Sequence, residues 1–384
     1  MNWKIPLFKI YHDQSDIEAA VKIIGSGMQW AEGQSISDFE QKISEYFGVK
    51  YAIVFNSGTS ALHAVLLAYG LGRGDEVIVP SFTFIATANA PLFVGAKPVF
   101  ADIEEETYGL DPQDVEKKIT RRTKAIVPIH YGGCPCKIEE LKKIAKKYNL
   151  LLIEDAAESF GAKVSNRKVA TFGDAACLSF CQNKIITTGE GGAIITSSAE
   201  IYEKLKAIRS HGRFAAKNYF LSSEIADYEN LGYNFRMPTL IAALGIAQLA
   251  KVNKVIQMRR EKAHYLNHEF RQETKGLVVP STPKDYFHVY QMYTLCVKKE
   301  RNALMRHLNS KGIMTKIYFP PVHLTRFYRH KLKIKPKLSV TERIASQVLT
   351  LPLYPGLSKG EMNYMVKAVR SFLSRGKKGE KSER

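Results

Sequence analysis

Lys184 closes the run Leu178-Ser-Phe-Cys-Gln-Asn-Lys184, and Ile185-Ile-Thr-Thr-Gly-Glu-Gly-Gly192 follows it directly. A lysine amine that forms a Schiff base must sit on a rigid frame, beside an anion site and a carboxylate that can pair with a protonated ring nitrogen. The chain offers each part. The carboxylate is Asp155, about thirty residues earlier, where an apolar run ends in Ile153-Glu-Asp-Ala-Ala-Glu-Ser-Phe-Gly161. Flanked by alanines, it can lie against a flat ring and keep a pyridine nitrogen protonated, which makes the ring an electron sink. The anion site is Phe55-Asn-Ser-Gly-Thr-Ser-Ala-Leu62, a strand end and small-residue turn that lead into a helix over His63–Tyr69. Free amides at a helix start, with a glycine allowing close approach, suit a phosphate. A Ser or Thr cap explains that turn equally well by itself, and a lysine is most often an exposed surface residue. It is the company of all three that favours the chemical reading.

Aromatic cover for a ring comes from Pro80-Ser-Phe-Thr-Phe-Ile-Ala-Thr-Ala-Asn89, through Phe82 or Phe84. No Gly-x-Gly-x-x-Gly lies between a strand and a helix. Gly70, Gly72 and Gly74 instead follow a helix and end it, so a nicotinamide enzyme is not expected.

These residues need a frame, and the pattern from about residue 50 to 197 supplies one. Short β-branched runs at Tyr51–Phe55, Glu76–Pro80, Pro98–Ile103, Ala125–Tyr131, Leu150–Ala156, Ala175–Phe180 and Gly192–Thr196 alternate with amphipathic stretches such as Ile138–Tyr148. The expectation is an α/β lobe on a mostly parallel seven-stranded sheet, with ligands at the carboxyl ends of the strands. A helical pattern from Thr239 to Glu273 then leads to a smaller α+β lobe. It holds a strand at Tyr290–Val297, a helix at Arg301–Lys311, an extended segment Thr315–Pro321 and a last helix after Ser358. The division expected is a large domain over residues 1–245, whose N-terminal segment packs near the site, a small C-terminal domain over 246–373 and a disordered charged tail over 374–384.

The 384 residues are 45% hydrophobic, enough for a large core, and 56 Lys+Arg against 37 Asp+Glu give a formal charge of +19. The excess is dispersed. With no basic block or zinc-finger spacing, direct nucleic-acid binding is not expected, and a basic cleft for a phosphorylated substrate fits better. Five cysteines without framework spacing point to a reducing, cytoplasmic setting. His130, Cys134 and Cys136 lack a fourth ligand and read as a turn with buried thiols, so no metal is expected. No apolar stretch reaches the length that a bilayer requires, and neither export nor membrane insertion is expected.

Asn56–Leu62, Ile153–Glu158, Ser179–Gly192, Leu231-Gly-Tyr-Asn-Phe-Arg-Met237 and Tyr318-Phe-Pro-Pro-Val-His323 together resemble the sugar aminotransferases of the DegT/DnrJ/EryC1/StrS group. The likeness runs from the Gly25-Ser-Gly27 region to Tyr354, and the block around Lys184 looks most like the perosamine synthase branch. The resemblance implies the pyridoxal-phosphate-dependent transferase fold type I, the aspartate aminotransferase fold. It implies Lys184 as the Schiff-base lysine and proton shuttle, and Asp155 as partner of the ring nitrogen. It further implies Gly58, Thr59 and Ser179 at the phosphate, Phe84 on the ring and Glu158 beside the ring hydroxyl. Asn234 would reach the phosphate of a second subunit, making the active unit a homodimer, while Tyr318 and His323 would approach the sugar nucleotide. The substrates implied are L-glutamate and a nucleotide-linked 4-keto-6-deoxyhexose, or another keto sugar or keto-inositol. Two positions depart from the family pattern: Glu158, where many relatives have Gln or His, and Met28, where many have Trp and this chain has Trp30. Some relatives of this fold are non-catalytic regulators, a fate that the intact lysine, aspartate and phosphate set argues against.

Overall fold

The computed structural model describes residues 3–379 apart from 214–221, 224, 226 and 272–275, with residues 375–379 described by their backbone alone. Seven strands form the larger sheet: β1 Tyr51–Phe55, β2 Glu76–Pro80, β3 Lys97–Ala101, β4 Thr123–Ile126, β5 Leu151–Asp155, β6 Ala175–Ser179 and β7 Gly192–Thr196. Their spatial order is β1-β7-β6-β5-β4-β2-β3. β7 runs antiparallel to both neighbours and every other pairing is parallel.

Helices cover both faces, which is why the parallel strands read as unbroken apolar runs. Successive residues of a strand point to opposite faces. Ala52, Val54, Ile78 and Leu152 enter a core shared with helices Gln34–Phe47, Ile138–Tyr148 and Thr239–Ala250. Ile53, Phe55, Val77, Val79 and Ile153 enter a second core shared with Gly58–Ala68, Ile85–Phe93 and Ala199–Arg209.

The same alternation separates the two acids that end β5. Glu154, on the side of Leu152, is fully buried and accepts hydrogen bonds from the amides of Ala170, Phe172 and Gly173 at 2.7, 2.7 and 2.8 Å, and from His130 Nε2 at 3.0 Å. His130 Nδ1 accepts from the Cys136 amide at 3.1 Å. Glu154 thus holds the loop that precedes β6, and both ring nitrogens of His130 are occupied, one by that carboxylate and one by the turn at Cys136. Asp155, on the side of Ile153, is left to face the cavity described below.

The smaller lobe has an antiparallel sheet of Leu277–Val278, Tyr293–Val297 and Val348–Leu351. It shares a core with Val252–Arg271, Arg301–Ser310 and Lys359–Gly379, centred on Phe270, Tyr293, Leu304 and Val366. The strand expected from Tyr290 starts only at Tyr293 because the carbonyls before it are taken. Arg259 donates from Nε to Tyr290 O at 2.9 Å and from Nη2 to Gln291 O at 2.7 Å, and Arg260 donates from Nη1 to His288 O at 2.5 Å. Arg259 is 4% exposed, and burial pulls its guanidinium down to about 10.

Other expectations need correction. The helix expected over Thr239–Glu273 is two, Thr239–Ala250 and Val252–Arg271, bent by 57°. Lys251, between them, places Nζ 2.6 Å from both Asp13 and Asp16, so the bend is pinned by carboxylates far away in the chain. The boundary drawn at residues 245/246 falls inside the first of these helices. The change of lobe comes within the second: Val252, Val255 and Ile256 belong to the large-lobe core, and Ala263, Leu266 and Phe270 to the small one. Of the N-terminal segment, expected in the large domain and near the site, Ile5 packs in the small-lobe core and bridges Ile313, while Phe8 lines the cavity described below. The tail expected to lack order from residue 374 continues the last helix to Gly379, and residues 380–384 lie outside the described residues. Among the described residues, no single helix is long and apolar enough to cross a membrane.

Candidate active site

A cavity of about 440 Å³ opens where the carboxyl ends of β1, β5 and β6 meet the small-lobe segment Lys316–Phe319. β1 delivers the helix Gly58–Ala68, which begins five residues before the start expected from sequence because Ser57 caps it, its Oγ accepting from the Ser60 amide at 3.1 Å. The amides of Gly58 and Thr59 lie in the first turn, where a helix offers them no acceptor. Both residues line the cavity, with Ser179 beside them. Packing here is close. A Cβ on Gly58 would stand 3.2 Å from Ser179 Cβ, and one on Gly192 would stand 2.6 Å from the Gly58 nitrogen. The result is a cradle of unpaired N–H groups and a hydroxyl at the positive end of a helix, suited to a phosphate.

Asp155 is 3% exposed. Its Oδ2 accepts from Thr87 Oγ1 at 2.7 Å and its Oδ1 from the Ala157 amide at 3.2 Å. Burial raises its carboxyl above the ordinary aspartate value, with Thr87, the Ala157 amide, Lys184 and His130 pulling the other way. A carboxylate in such a place is incomplete without a cationic partner. Lys184 Nζ, its side chain 14% exposed, reaches Glu158 Oε1 at 3.4 Å, and Glu158 Oε2 accepts from the Gly132 amide at 2.9 Å. The lysine is held by its neighbours: its amide donates to Cys181 O at 2.9 Å, and Gln291 Nε2 donates to Asn183 O at 2.5 Å.

Of the two aromatic candidates, Phe84 lines the cavity and is 55% exposed, whereas Phe82 is buried and stacks on Tyr131 at 4.8 Å between centroids. Phe84 caps the helix Ile85–Phe93, and one turn on the same helix sends Thr87 to Asp155. Tyr318 also lines the cavity, and burial raises its hydroxyl above the ordinary value.

Two expected residues lie elsewhere. His323 is 1% exposed and away from the cavity: Nδ1 sits 2.6 Å from Ser81 Oγ and Nε2 3.4 Å from Glu342 Oε1, which occupies both nitrogens in holding the lobes together. Asn234 is exposed outside the cavity of its own chain, and its carbonyl accepts from Asn56 Nδ2 at 3.3 Å. Sequence reading missed Thr87 and Lys316. Thr87 had a usable signal, its place one helical turn after a ring-facing aromatic; Lys316 had only its two-residue spacing from Tyr318 in an extended segment.

The donor set suits a flat ring bearing a phosphate, a basic ring nitrogen and a carbonyl for Lys184. The comparisons agree. The model of the DegT/DnrJ/EryC1/StrS aminotransferase family matches residues 11–370. A GDP-perosamine synthase of Escherichia coli O157:H7 is 38% identical over 347 residues, 90% of this chain and 92% of that protein. A dTDP-3-amino-3,6-dideoxy-alpha-D-galactopyranose transaminase of Aneurinibacillus thermoaerophilus is 36% identical over 94% of this chain and 96% of its own. Among solved structures, Helicobacter pylori PseC, an aminotransferase involved in the biosynthesis of pseudoaminic acid, superposes with a TM-score of 0.91 at 29% identity, covering 97% of this chain and 99% of that one. The chain belongs to the DegT/DnrJ/EryC1/StrS aminotransferase family, whose cofactor is pyridoxal phosphate.

Proposed function

We propose that the chain moves the amino group of L-glutamate to the keto carbon of a nucleotide-linked 4-keto-6-deoxyhexose, with a GDP sugar as acceptor. The observation that carries this reading is the convergence of Lys184 Nζ, the buried Asp155 carboxylate and the Gly58 helix start on one cavity. Pyridoxal phosphate, when bound, supplies the electron sink that makes the donor Cα–H acidic. Lys184 Nζ takes that Cα proton, and in the return half-reaction it delivers a proton to C4 of the sugar. Asp155 holds the proton on the ring nitrogen. Glu158, anchored by the Gly132 amide, orients the lysine amine. The Gly58 and Thr59 amides and Ser179 Oγ hold the phosphate, and Phe84 covers the ring. Asn234, exposed and outside the lining of its own cavity, serves the site of a second copy, so the active unit is a homodimer in the cytoplasm.

The GDP assignment is supported by likeness to a perosamine synthase, while the dTDP-linked relative makes the nucleotide the point to test. The experiment is the visible spectrum of the cofactor-loaded protein during addition of L-glutamate and then of a GDP-, dTDP- or UDP-linked 4-keto-6-deoxy sugar. Bleaching by glutamate with recovery on the GDP sugar is expected. Recovery only on another nucleotide reassigns the acceptor, and protein that gains no visible band on loading ends the reading built on Lys184. For the dimer, mixing inactive Lys184→Ala and Asn234→Ala chains should restore some turnover through hybrids; no restoration argues for a site within one chain.

A further inference from the structure

Two cations line the cavity among the described residues, Lys184 and Lys316. The first is engaged with Glu158. Lys316 is exposed, and among the described residues no carboxylate forms an ion pair with it. Its backbone is nonetheless fixed. The Lys316 amide donates to Thr350 O at 3.1 Å and the Thr350 amide to Lys316 O at 2.8 Å, which adds the segment to the edge strand Val348–Leu351 of the small-lobe sheet. In an extended chain, residues two apart share a face. Lys316 and Tyr318 therefore both turn to the cavity, and the ammonium lies 4.8 Å from the centroid of the Tyr318 ring. Tyr318 is itself steadied by Tyr131, whose hydroxyl donates to the Tyr318 carbonyl.

The phosphate cradle at Gly58 and Thr59 belongs to the large lobe and is matched to the cofactor. Each substrate of the proposed reaction brings further negative oxygens to the same cavity: carboxylates on the amino donor, a diphosphate on the sugar nucleotide. The carboxylates on the lining, Asp155, Glu158 and Glu190, cannot receive them. Building on the aminotransferase reading, we propose that Lys316 is the small-lobe anchor for the anionic oxygens of a substrate. An ammonium supported by a ring face and lacking a carboxylate keeps its charge for a ligand, and a charge-assisted contact to phosphate or carboxylate is the interaction it is set up to make.

The test uses the cofactor-loaded protein and its Lys316→Met and Lys316→Arg variants, titrated calorimetrically with GDP and, separately, with 2-oxoglutarate. Lys316→Met should bind one of the two probes about ten- to a hundredfold more weakly, the effect of removing one charged contact. Lys316→Arg should recover most of that loss, because it restores the positive charge at the same place. Cofactor content should stay equal in all three proteins. Loss confined to GDP identifies the diphosphate as the anchored group, and loss confined to 2-oxoglutarate identifies the donor carboxylate. Wild-type affinity of Lys316→Met for both probes overturns the proposal, as does an equal loss on both that arginine does not recover. Wild-type protein that binds neither probe overturns the substrate reading itself, and this proposal with it.

Discussion

The two walls of the cavity are built on opposite plans. On the large-lobe wall Asp155, Glu158 and Lys184 are mostly buried, and each is tied to a neighbour: Thr87, the Gly132 amide and Glu158 in turn. On the small-lobe wall Lys316 is exposed and Tyr318 only half-buried. Groups that move protons gain from being fixed before the substrate arrives, because nothing then has to reorganise during the reaction. Groups that select a substrate can wait in solvent and pay their ordering cost on binding. The contrast is the one that the proposed roles require, with proton transfer on the large sheet and substrate contact on the lobe that leans over it.

Substitutions on the large-lobe wall should break the reaction, in decreasing order of effect. Lys184→Ala should lower kcat by at least about 10⁴-fold, since the proposed mechanism gives one amine the work of both nucleophile and base; steady-state turnover near wild type would remove the asymmetry between the walls. Asp155→Asn should cost about 10²- to 10³-fold in kcat, the range seen when one preorganised electrostatic partner is lost. Its cofactor content separates weak chemistry from weak loading, and an unchanged kcat would assign the ring nitrogen to another group.

Gly192→Ala touches no reacting group, yet it should cost about 1–3 kcal/mol of stability and weaken cofactor retention, because its Cβ would meet the Gly58 nitrogen at 2.6 Å. Denaturant unfolding and dialysis against buffer check both; unaltered retention would mean the cradle is looser than its spacing. The smallest effect sharpens the comparison through pH. In cofactor-free protein, burial raises the Asp155 carboxyl, so the native chain keeps this proton after the unfolded chain has released it. Its contribution to stability is full below the ordinary value of 3.8 and is lost as pH rises through the raised native value. The stability of wild type relative to Asp155→Asn should therefore fall as pH rises above 3.8 without cofactor, and fall less with it. A flat difference would mean that Asp155 is not destabilised by its surroundings.

The reacting wall was legible in the sequence because its parts are local. Strand ends and helix starts place Asp155 and Gly58, and the apolar runs that mark those strands are what bury them. Phe82 and Phe84 could not be told apart from their pattern, since only the packing of Tyr131 decides which ring is inside. The break at Lys251 was invisible for a similar reason: the helical period runs through it, and its partners Asp13 and Asp16 come from the other end of the chain. His323 misled through proximity in sequence to Tyr318; Ser81 and Glu342, both distant in sequence or in element, claim its nitrogens. Lys316 is one lysine in a basic chain, and nothing beside it in sequence distinguishes it from a solvated one.

The pair Arg259 and Arg260 has a consequence for how the molecule opens. They hold the carbonyls of residues 288, 290 and 291, while the amides of Val289 and Met292 donate to Gly133 O and Gly132 O on the large lobe. Prising the lobes apart would break that lattice and leave a buried guanidinium without acceptors, a cost that local fluctuations do not meet. In amide hydrogen exchange, Val289 and Met292 should thus keep pace with the central strands of the sheet, and the junction between the lobes behaves as a weld, with breathing confined to the mouth of the cavity.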